Sequence, residues 1–398
     1  MPHDFDGGLV HWHEPPGLMP AGERRFRRPE LAYDRFMDAD GIPVHRAPWI
    51  DLSEPPEMAA WSRLGAAGCH VQLFGTEGAI GQSVLEIPAG GASRAERHLC
   101  DEIILVLEGA GTTELRAPQG GANAERVVFE WQTHSLFAIP RNALHRFVNA
   151  GATPARLLCL NSLPAVLNLL GEVDLVFANP APVFLDDEAG QAFEDIEPDP
   201  VQGLAMCRTM LVPDVVGCDL PLDNRHSPSH RKLQLAMTGA SLGVSLGEHR
   251  PGRYSRARLA APGEISICLR GGGYRLTWPE EVGPTPFQDG QAAHIRRIKH
   301  APGVAIGVGE GGGRWFVQDF TLSQGPLRHL HVQLADRPDG PPGEDLPDPL
   351  TTDFDRGGKI IPYWREDVVL RRAYASELDS RKLPNRMREQ DYQADSDE

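Results

Sequence analysis

The side chains best suited to chemistry lie in two short segments of this 398-residue chain. The first segment has the spacing Glu96-x-His98-x3-Glu102, and the second contributes His145. Imidazole nitrogens and carboxylate oxygens together form a ligand shell that suits Fe(II), Mn(II) and similar ions and leaves positions open for substrate. The sequence therefore predicts one divalent metal ion per chain, Fe(II) first and Mn(II) or Zn(II) as alternatives, with these four residues as ligands.

Strands are the elements that would position these ligands. From residue 70 onward, short apolar and β-branched runs alternate with Gly, Pro and Asn, which is typical of a β-rich protein. Positions 96, 98 and 102 differ by even numbers, so on one strand they would share a face. An antiparallel neighbour that begins near His145 would bring its imidazole opposite them. The pattern predicts an all-β fold with the ligands inside a barrel.

An internal repeat shows where the chemistry is retained. Twelve of the 31 residues in 81–111 recur, without a gap, 162 positions later. The second copy keeps the last carboxylate as Glu264, but it has Arg258 and Ala260 in place of the first carboxylate and the histidine. We therefore expect the first copy to hold the metal and the second copy to have lost it.

The two ligand segments resemble the two signature motifs of the cupin superfamily, G-x5-H-x-H-x3-4-E-x6-G and G-x5-P-x-G-x2-H-x3-N. In this chain they read Gly90-x5-Glu96-x-His98-x3-Glu102-x6-Gly109 and His134-x5-Pro140-x-Asn142-x2-His145-x3-Asn149. With the repeat, they make the chain similar to two-barrel cupins such as gentisate-type dioxygenases and their uncharacterised relatives. The resemblance covers residues 65–180 and 226–335 and implies two tandem jelly-roll β-barrels, with the metal inside the first.

Three positions depart from the family pattern. Glu96 stands where the first histidine is usual, and His134 and Asn142 replace two glycines. Glu96 could still coordinate the metal as an anionic ligand. Alternatively it is a base beside a shell of two histidines and one carboxylate, so the catalytic residues are predicted to be Glu96 and Glu102. His134 is expected at the surface.

The resemblance and the composition divide the chain into five predicted parts. They are an extension (1–64), the metal-binding barrel (65–180), a Pro- and Asp-rich linker (181–225), a degenerate barrel without metal ligands (226–335), and a C-terminal loop, short helix at about 367–379 and acidic tail (336–398). In the degenerate barrel the counterpart of His145 is expected within 314–320, where Asp319 is the one plausible ligand. His329 and His331 are expected to be structural.

Composition limits the partners. The net charge of −16 and the pI of about 5.4 disfavour nucleic acid and anionic membranes. The chain has neither a signal-peptide pattern nor an apolar run long enough to span a membrane, and its six cysteines lack paired spacing. We therefore expect a cytoplasmic protein with reduced thiols. Exposed strand edges favour a homodimer.

The substrate pocket is expected to use residues near His145 and on the following strand. The candidates are Phe137, Phe147, Asn149, Arg156 and Asn161. The first function predicted is an Fe(II) dioxygenase that acts on a small organic molecule chelated in the first barrel. The alternatives are a redox-neutral metal-dependent isomerase, decarboxylase, lyase or cyclase, and a non-catalytic binding or accessory protein.

Overall fold

The computed structural model describes residues 30–116, 126–180, 193, 196–198, 204–224, 227–237, 241–309, 314–335 and 351–393. Within these residues, strands predominate and helices are few and short. The α-helices of this part of the chain are α1 (Ala32–Asp40), α2 (Leu163–Leu170), α3 (Val173–Phe177) and α4 (Val368–Ser380). Single 3₁₀ turns occur at Glu280–Val282, Ala292–His294, Phe354–Arg356 and Glu389–Tyr392.

The first barrel is built from two sheets. Its strands are β1 (Val44–Ala47), β3 (Ala59–Trp61), β4 (Ala66–Leu73), β5 (Gly81–Ile87), β6 (Glu102–Glu108), β7 (Ala110–Arg116), β8 (Arg126–Gln132), β9 (Leu136–Ile139), β10 (Leu144–Asn149) and β11 (Ala155–Asn161). The large sheet has the order β1-β4-β5-β11-β6-β9, with β3 paired to β4, and the small sheet has the order β10-β7-β8. From β8 to β11, consecutive strands alternate between the two sheets, as in a jelly roll.

The second barrel repeats this arrangement. Its strands are β12 (Ile196–Pro198), β13 (Ala205–Arg208), β15 (Arg231–Ala236), β16 (Leu242–His249), β17 (Ala257–Leu259), β18 (Ile265–Arg270), β19 (Gly273–Pro279), β20 (Arg296–His300), β21 (Val304–Ile306), β22 (Trp315–Thr321), β23 (Leu327–Leu334) and β24 (Ile360–Ile361). The sheets have the orders β12-β13-β15-β16-β23-β18-β21 and β20-β19-β22-β17-β24. The predicted fold class, all-β with two tandem jelly-roll barrels, is confirmed.

The two barrels exchange one strand each. β2 (Trp49–Asp51) lies in sequence between β1 and β3 of the first barrel but pairs with β21 of the second. β14 (Leu211–Val212) lies in sequence between β13 and β15 of the second barrel but pairs with β9 of the first. Trp49 and Leu211 are 162 positions apart, so the exchange follows the sequence repeat. The segments predicted as extension and linker therefore supply strands that tie the barrels together.

The central strands are apolar on both faces because each face is covered. In the first barrel, Val84 and Leu158 belong to a cluster that also contains Val244 and Leu330 of the second barrel. The neighbouring residue on one of these strands, Leu85, faces the opposite way and packs in the interior of the first barrel. A sheet buried on both sides favours continuous apolar runs, as at residues 103–107 of β6 and 157–160 of β11.

The C-terminal segment packs on the second barrel. Helix α4 begins with Asp367 as its N-cap and buries Leu370, Tyr374 and Leu378 in the aromatic cluster that contains Phe320. The remaining residues of the predicted loop, 336–350, and the last five residues of the predicted tail lie outside the described residues. Among the described residues, no helix has the length and apolar character to cross a membrane.

Candidate metal centre

Two paired segments and one strand carry the predicted ligands. The backbones of Glu96 and His145 exchange two hydrogen bonds, with N–O distances of 3.0 and 2.9 Å. His98 lies two residues further on, and Glu102 begins β6 in the facing sheet. The expectation that positions 96, 98 and 102 share one strand is thus wrong, because the chain turns between His98 and β6. The four side chains nevertheless meet in the barrel interior.

The four ligand groups form one tight cluster. Glu96, His98 and His145 each offer a ligand atom, and these atoms lie within 4.8 Å of one another. The Oε2 atom of Glu102 is 3.2 Å from His98 Nε2 and 3.6 Å from His145 Nε2. His98, Glu102 and His145 are each at most 5% exposed. The structure therefore brings together all four side chains in a mixed nitrogen and oxygen set, of which Glu96 alone is partly exposed.

The hydrogen bonds of the histidines fix which nitrogen faces the cluster. His98 Nδ1 donates to the carbonyl of Cys100, and His145 Nδ1 donates to the carbonyl of Ala143, both at 3.1 Å. A carbonyl can only accept, so in the neutral rings the lone pairs are on Nε2. His145 Nε2 is buried without a hydrogen-bond partner. Lone pairs that converge in this way fit a metal cation, and carbonyl-anchored Nδ1 atoms are usual for metal-binding histidines.

The electrostatics of the cluster favour positive charge. Burial opposes ionisation of Glu102, but His98 and then His145 outweigh it and lower the pKa of this carboxyl group. Burial lowers the pKa of His145. For His98, burial also acts downward, but Cys100 and Glu102 outweigh it and raise the pKa well above its ordinary value. The cluster thus attracts a cation, whether a proton or a metal ion.

An arginine that the sequence did not single out closes the cavity beside this cluster. Arg63 Nη1 donates to Glu96, and Arg63 Nε lies 3.1 Å from Asp40 Oδ1. The guanidinium is 5.1 Å from the ring centre of Phe36 and 5.3 Å from that of Phe177. The enclosed cavity is small, about 20 Å³. No motif spacing could have revealed Arg63, because it lies outside both signature segments.

The predicted pocket residues separate into two groups. Phe147 and Asn161 line the cavity, and Asn161 hydrogen-bonds Glu102. Phe137, Asn149 and Arg156 do not. Phe137 is fully buried in the apolar interior beside Trp131 and Phe147. Asn149 Nδ2 donates hydrogen bonds to the carbonyls of Ile87, Pro88 and Thr153. Arg156 forms an ion pair with Glu108, with an N–O distance of 2.8 Å.

Two departures from the family pattern keep the backbone shape of glycine. His134 and Asn142 have φ values of 73° and 61°, in the left-handed region that costs energy for a residue with a Cβ. Both stand where the resembled motif has glycine. His134 is half exposed, with Nδ1 4.0 Å from Asp214 Oδ1. The backbone conformation therefore follows the motif even where the residue type does not.

In the second barrel, an ion pair stands at the ligand positions. Arg258 donates to Glu264 with N–O distances of 2.8 and 2.6 Å. β10 pairs His145 with Leu115, and β22 pairs Val317 with Thr277, which is 162 positions after Leu115. Val317 is therefore the counterpart of His145, and it has no ligand atom.

Other histidines of the second barrel cluster where the sequence predicted only structural roles. His329 is fully buried and neither ring nitrogen has a hydrogen-bond partner. His249, Asp319 and His329 each offer a ligand atom, and these three atoms lie within 4.8 Å of one another. The same holds for a second set, which consists of Cys268, His300 and His329. Sequence spacing could not reveal these sets because their members lie on separate strands.

Comparison with known proteins adds little to this picture. No family model matches the sequence, and no curated protein matches it. Two solved mutants of Bacillus subtilis oxalate decarboxylase are similar in structure, both with a TM-score of 0.44. The first is 11% identical, and the match covers 73% of this chain and 77% of that one. The second is 12% identical, and the match covers 72% of this chain and 77% of that one. Because these TM-scores are below 0.5, the fold assignment depends on the strand pairings above. The narrower resemblance to gentisate-type dioxygenases is not confirmed.

Proposed function

We propose that this chain is a two-barrel cupin whose first barrel is a redox-neutral, metal-dependent enzyme for a small carboxylic acid, most simply a decarboxylase. His98, Glu102 and His145 would hold the divalent metal, Mn(II) or Fe(II). When bound, the metal supplies a Lewis acid that polarises a substrate carbonyl or carboxylate oxygen. The observation that carries the proposal is the pairing of Glu96 with Arg63 at the edge of the ligand cluster.

Arg63 is suited to hold the substrate. Its planar guanidinium matches a carboxylate, and the rings of Phe36 and Phe177 fix its position. The side chain of Arg63 is 28% exposed, so an incoming acid can reach it. A substrate carboxylate on Arg63 displaces Glu96 from the guanidinium. The small volume of the cavity favours a small substrate.

Glu96 is suited to move a proton. Its side chain is 15% exposed, against 6% for Glu102, so it lies on the open side of the cluster. In a decarboxylation, the bond to the departing carboxylate breaks, carbon dioxide leaves and the electron pair stays on the substrate carbon. Glu96 then passes a proton from solvent to that carbon, and the step consumes neither oxidant nor reductant.

The Fe(II) dioxygenase remains the second candidate, because two histidines and one carboxylate with open positions also suit that chemistry. The test is a screen of small dicarboxylic and 2-oxo acids with Mn(II)- or Fe(II)-reconstituted protein, with and without oxygen. The proposal expects carbon dioxide release under anaerobic conditions. Product formation that requires oxygen, with matching oxygen uptake, would favour the dioxygenase instead.

Two variants test the assigned roles. Glu96→Gln should retain the metal and lose at least about 100-fold in kcat, in the range of lost proton transfer. Arg63→Met should chiefly raise KM for the acid. Arg94→Gln, at an exposed position of the same barrel, is the matched control and should behave as the parent. Loss of metal in Glu96→Gln would make Glu96 a ligand and contradict its role as the proton carrier.

A further inference from the structure

The second barrel contains a cavity far larger than the one beside the candidate metal cluster. Its volume is about 300 Å³, against about 20 Å³ beside the metal cluster. Ala260 stands at the repeat position of His98, so an imidazole ring is missing from this interior. Gln234, Ser245 and Gln333 supply hydrogen-bonding groups along the wall. The cavity therefore has both the room and the polar contacts that a small ligand needs.

The charge of this cavity is opposite to that of the metal cluster. Four cationic side chains line it, namely Lys232, Arg256, Arg258 and Lys359, against the two carboxylates of Glu264 and Asp319. Both carboxylates are already engaged, Glu264 by Arg258 and Asp319 by two hydrogen bonds from the buried Arg275. The lining thus has an excess of positive charge.

Arg256 is the cationic side chain of the lining that is best placed to contact an anion. Its guanidinium lies 5.6 Å from the ring centre of Tyr363, and its Nε is buried without a hydrogen bond. No carboxylate of the described residues forms an ion pair with it. Arg94, its counterpart in the repeat, instead turns outward and donates to the carbonyl of Ser62 at 2.6 Å. The arginine at this repeat position therefore points outward in the first barrel and lines the cavity in the second.

A metal ion is the other occupant to consider, since His249, Asp319 and His329 lie close together. However, Asp319 accepts hydrogen bonds from Arg275 at 2.8 and 2.9 Å and from His300 at 2.8 Å. A divalent cation there would lie against the fully buried guanidinium of Arg275. Like charges repel strongly in such an interior, and a cation would also have to compete with the three hydrogen bonds that Asp319 already accepts.

We infer that the second barrel binds a small molecule with a carboxylate or phosphate group, with Arg256 as its main cationic contact. This site is separate from the metal cluster and does not depend on the function proposed for it. The second barrel would then be a ligand-binding module whose site lies at the repeat positions that carry the candidate metal ligands in the first barrel.

Calorimetric titration of the full chain with succinate and with inorganic phosphate, at constant ionic strength, tests the inference and distinguishes the two anions. At least one should bind, and Arg256→Gln should bind it at least tenfold more weakly. Gln333→Met, on another strand, should also weaken binding and serves if the first variant does not fold. Arg94→Gln should bind as the parent protein does, and His98→Ala should retain the binding that Arg256→Gln weakens.

Several results would overturn the inference. These are no binding of either anion, equal affinity in Arg256→Gln and the parent protein, or loss of binding in His98→Ala, which would place the anion in the first barrel. A stoichiometric metal ion that persists in His98→Ala and disappears in His329→Ala would show that the histidines of the second barrel hold a cation instead.

Discussion

Arg258 and Glu264 form a two-hydrogen-bond ion pair at the repeat positions of Glu96 and Glu102. In the first barrel the same backbone positions hold two carboxylates, which need a cation between or beside them. In the second barrel the guanidinium itself is that cation, and the pair lies at the edge of an open cavity. One exchange of charge within the repeat therefore separates a candidate metal site from a candidate anion site.

His134→Gly should stabilise the protein. His134 has a φ of 73° and a half-exposed side chain, so glycine removes left-handed strain and little packing. The strain is about 1–2 kcal/mol and is partly offset by the greater unfolded-state freedom of glycine, which leaves a gain of roughly 0.5–1 kcal/mol. Thermal unfolding measures it. His134→Ala is the control, and an equal gain in that variant would contradict the strain argument.

Phe137→Ala should destabilise the first barrel without changing its metal content. The ring is fully buried and packs beside Phe129, Trp131 and Phe147, so its loss should cost about 3–5 kcal/mol. Denaturant unfolding and metal analysis of the folded fraction measure both effects. Val128→Ala, at an exposed position on β8, is the control. Selective loss of metal from folded Phe137→Ala would show that Phe137 shapes the site after all.

Glu366→Gln should remove a loss of stability at alkaline pH. Burial is the main cause that raises the pKa of Glu366 to about 8, although Tyr254 and Gln318 hydrogen-bond it. Its protonated form is thus favoured in the folded state, so its stabilising contribution is complete below pH of about 4.5 and is lost as the pH rises through about 8.

The variant should therefore be more stable than the parent protein at pH 9, on the order of a few kcal/mol, and nearly equal to it at pH 5. Unfolding curves at both pH values measure the difference. Glu389→Gln, at an exposed position, should show no such dependence. A constant difference between parent and Glu366→Gln across this pH range would contradict the raised pKa.

The sequence predicted the fold and the clustering of the four candidate ligand side chains because both depend on local patterns. Alternating apolar runs define strands, and the motif spacing placed His98 and His145 on paired segments. It could not predict the exchange of β2 and β14, since pairing between distant strands leaves no periodic signal. The sequence also did not predict the role of Arg63, because this side chain reaches Glu96 from a segment that contains no motif.

The large cavity of the second barrel was also beyond the sequence. The replacement of ligands by Arg258 and Ala260 was visible and indicated a lost metal site. The sequence did not show that Arg256 faces the cavity, since its counterpart in the first copy, Arg94, turns outward. The residue types determine the charge of the cavity lining, and they can be read from the sequence. The volume of the cavity depends on how β17 and β24 pack around it.

The central claim is that the cluster around His98 and His145 holds one divalent metal ion per chain. Inductively coupled plasma mass spectrometry on protein purified without added metal tests it most directly, with His98→Ala, His145→Ala and Glu264→Gln beside the parent. The account predicts about one ion per chain in the parent and Glu264→Gln proteins and loss of most of it in both histidine variants. Two ions per chain in the parent, or unchanged metal in both histidine variants, would contradict it.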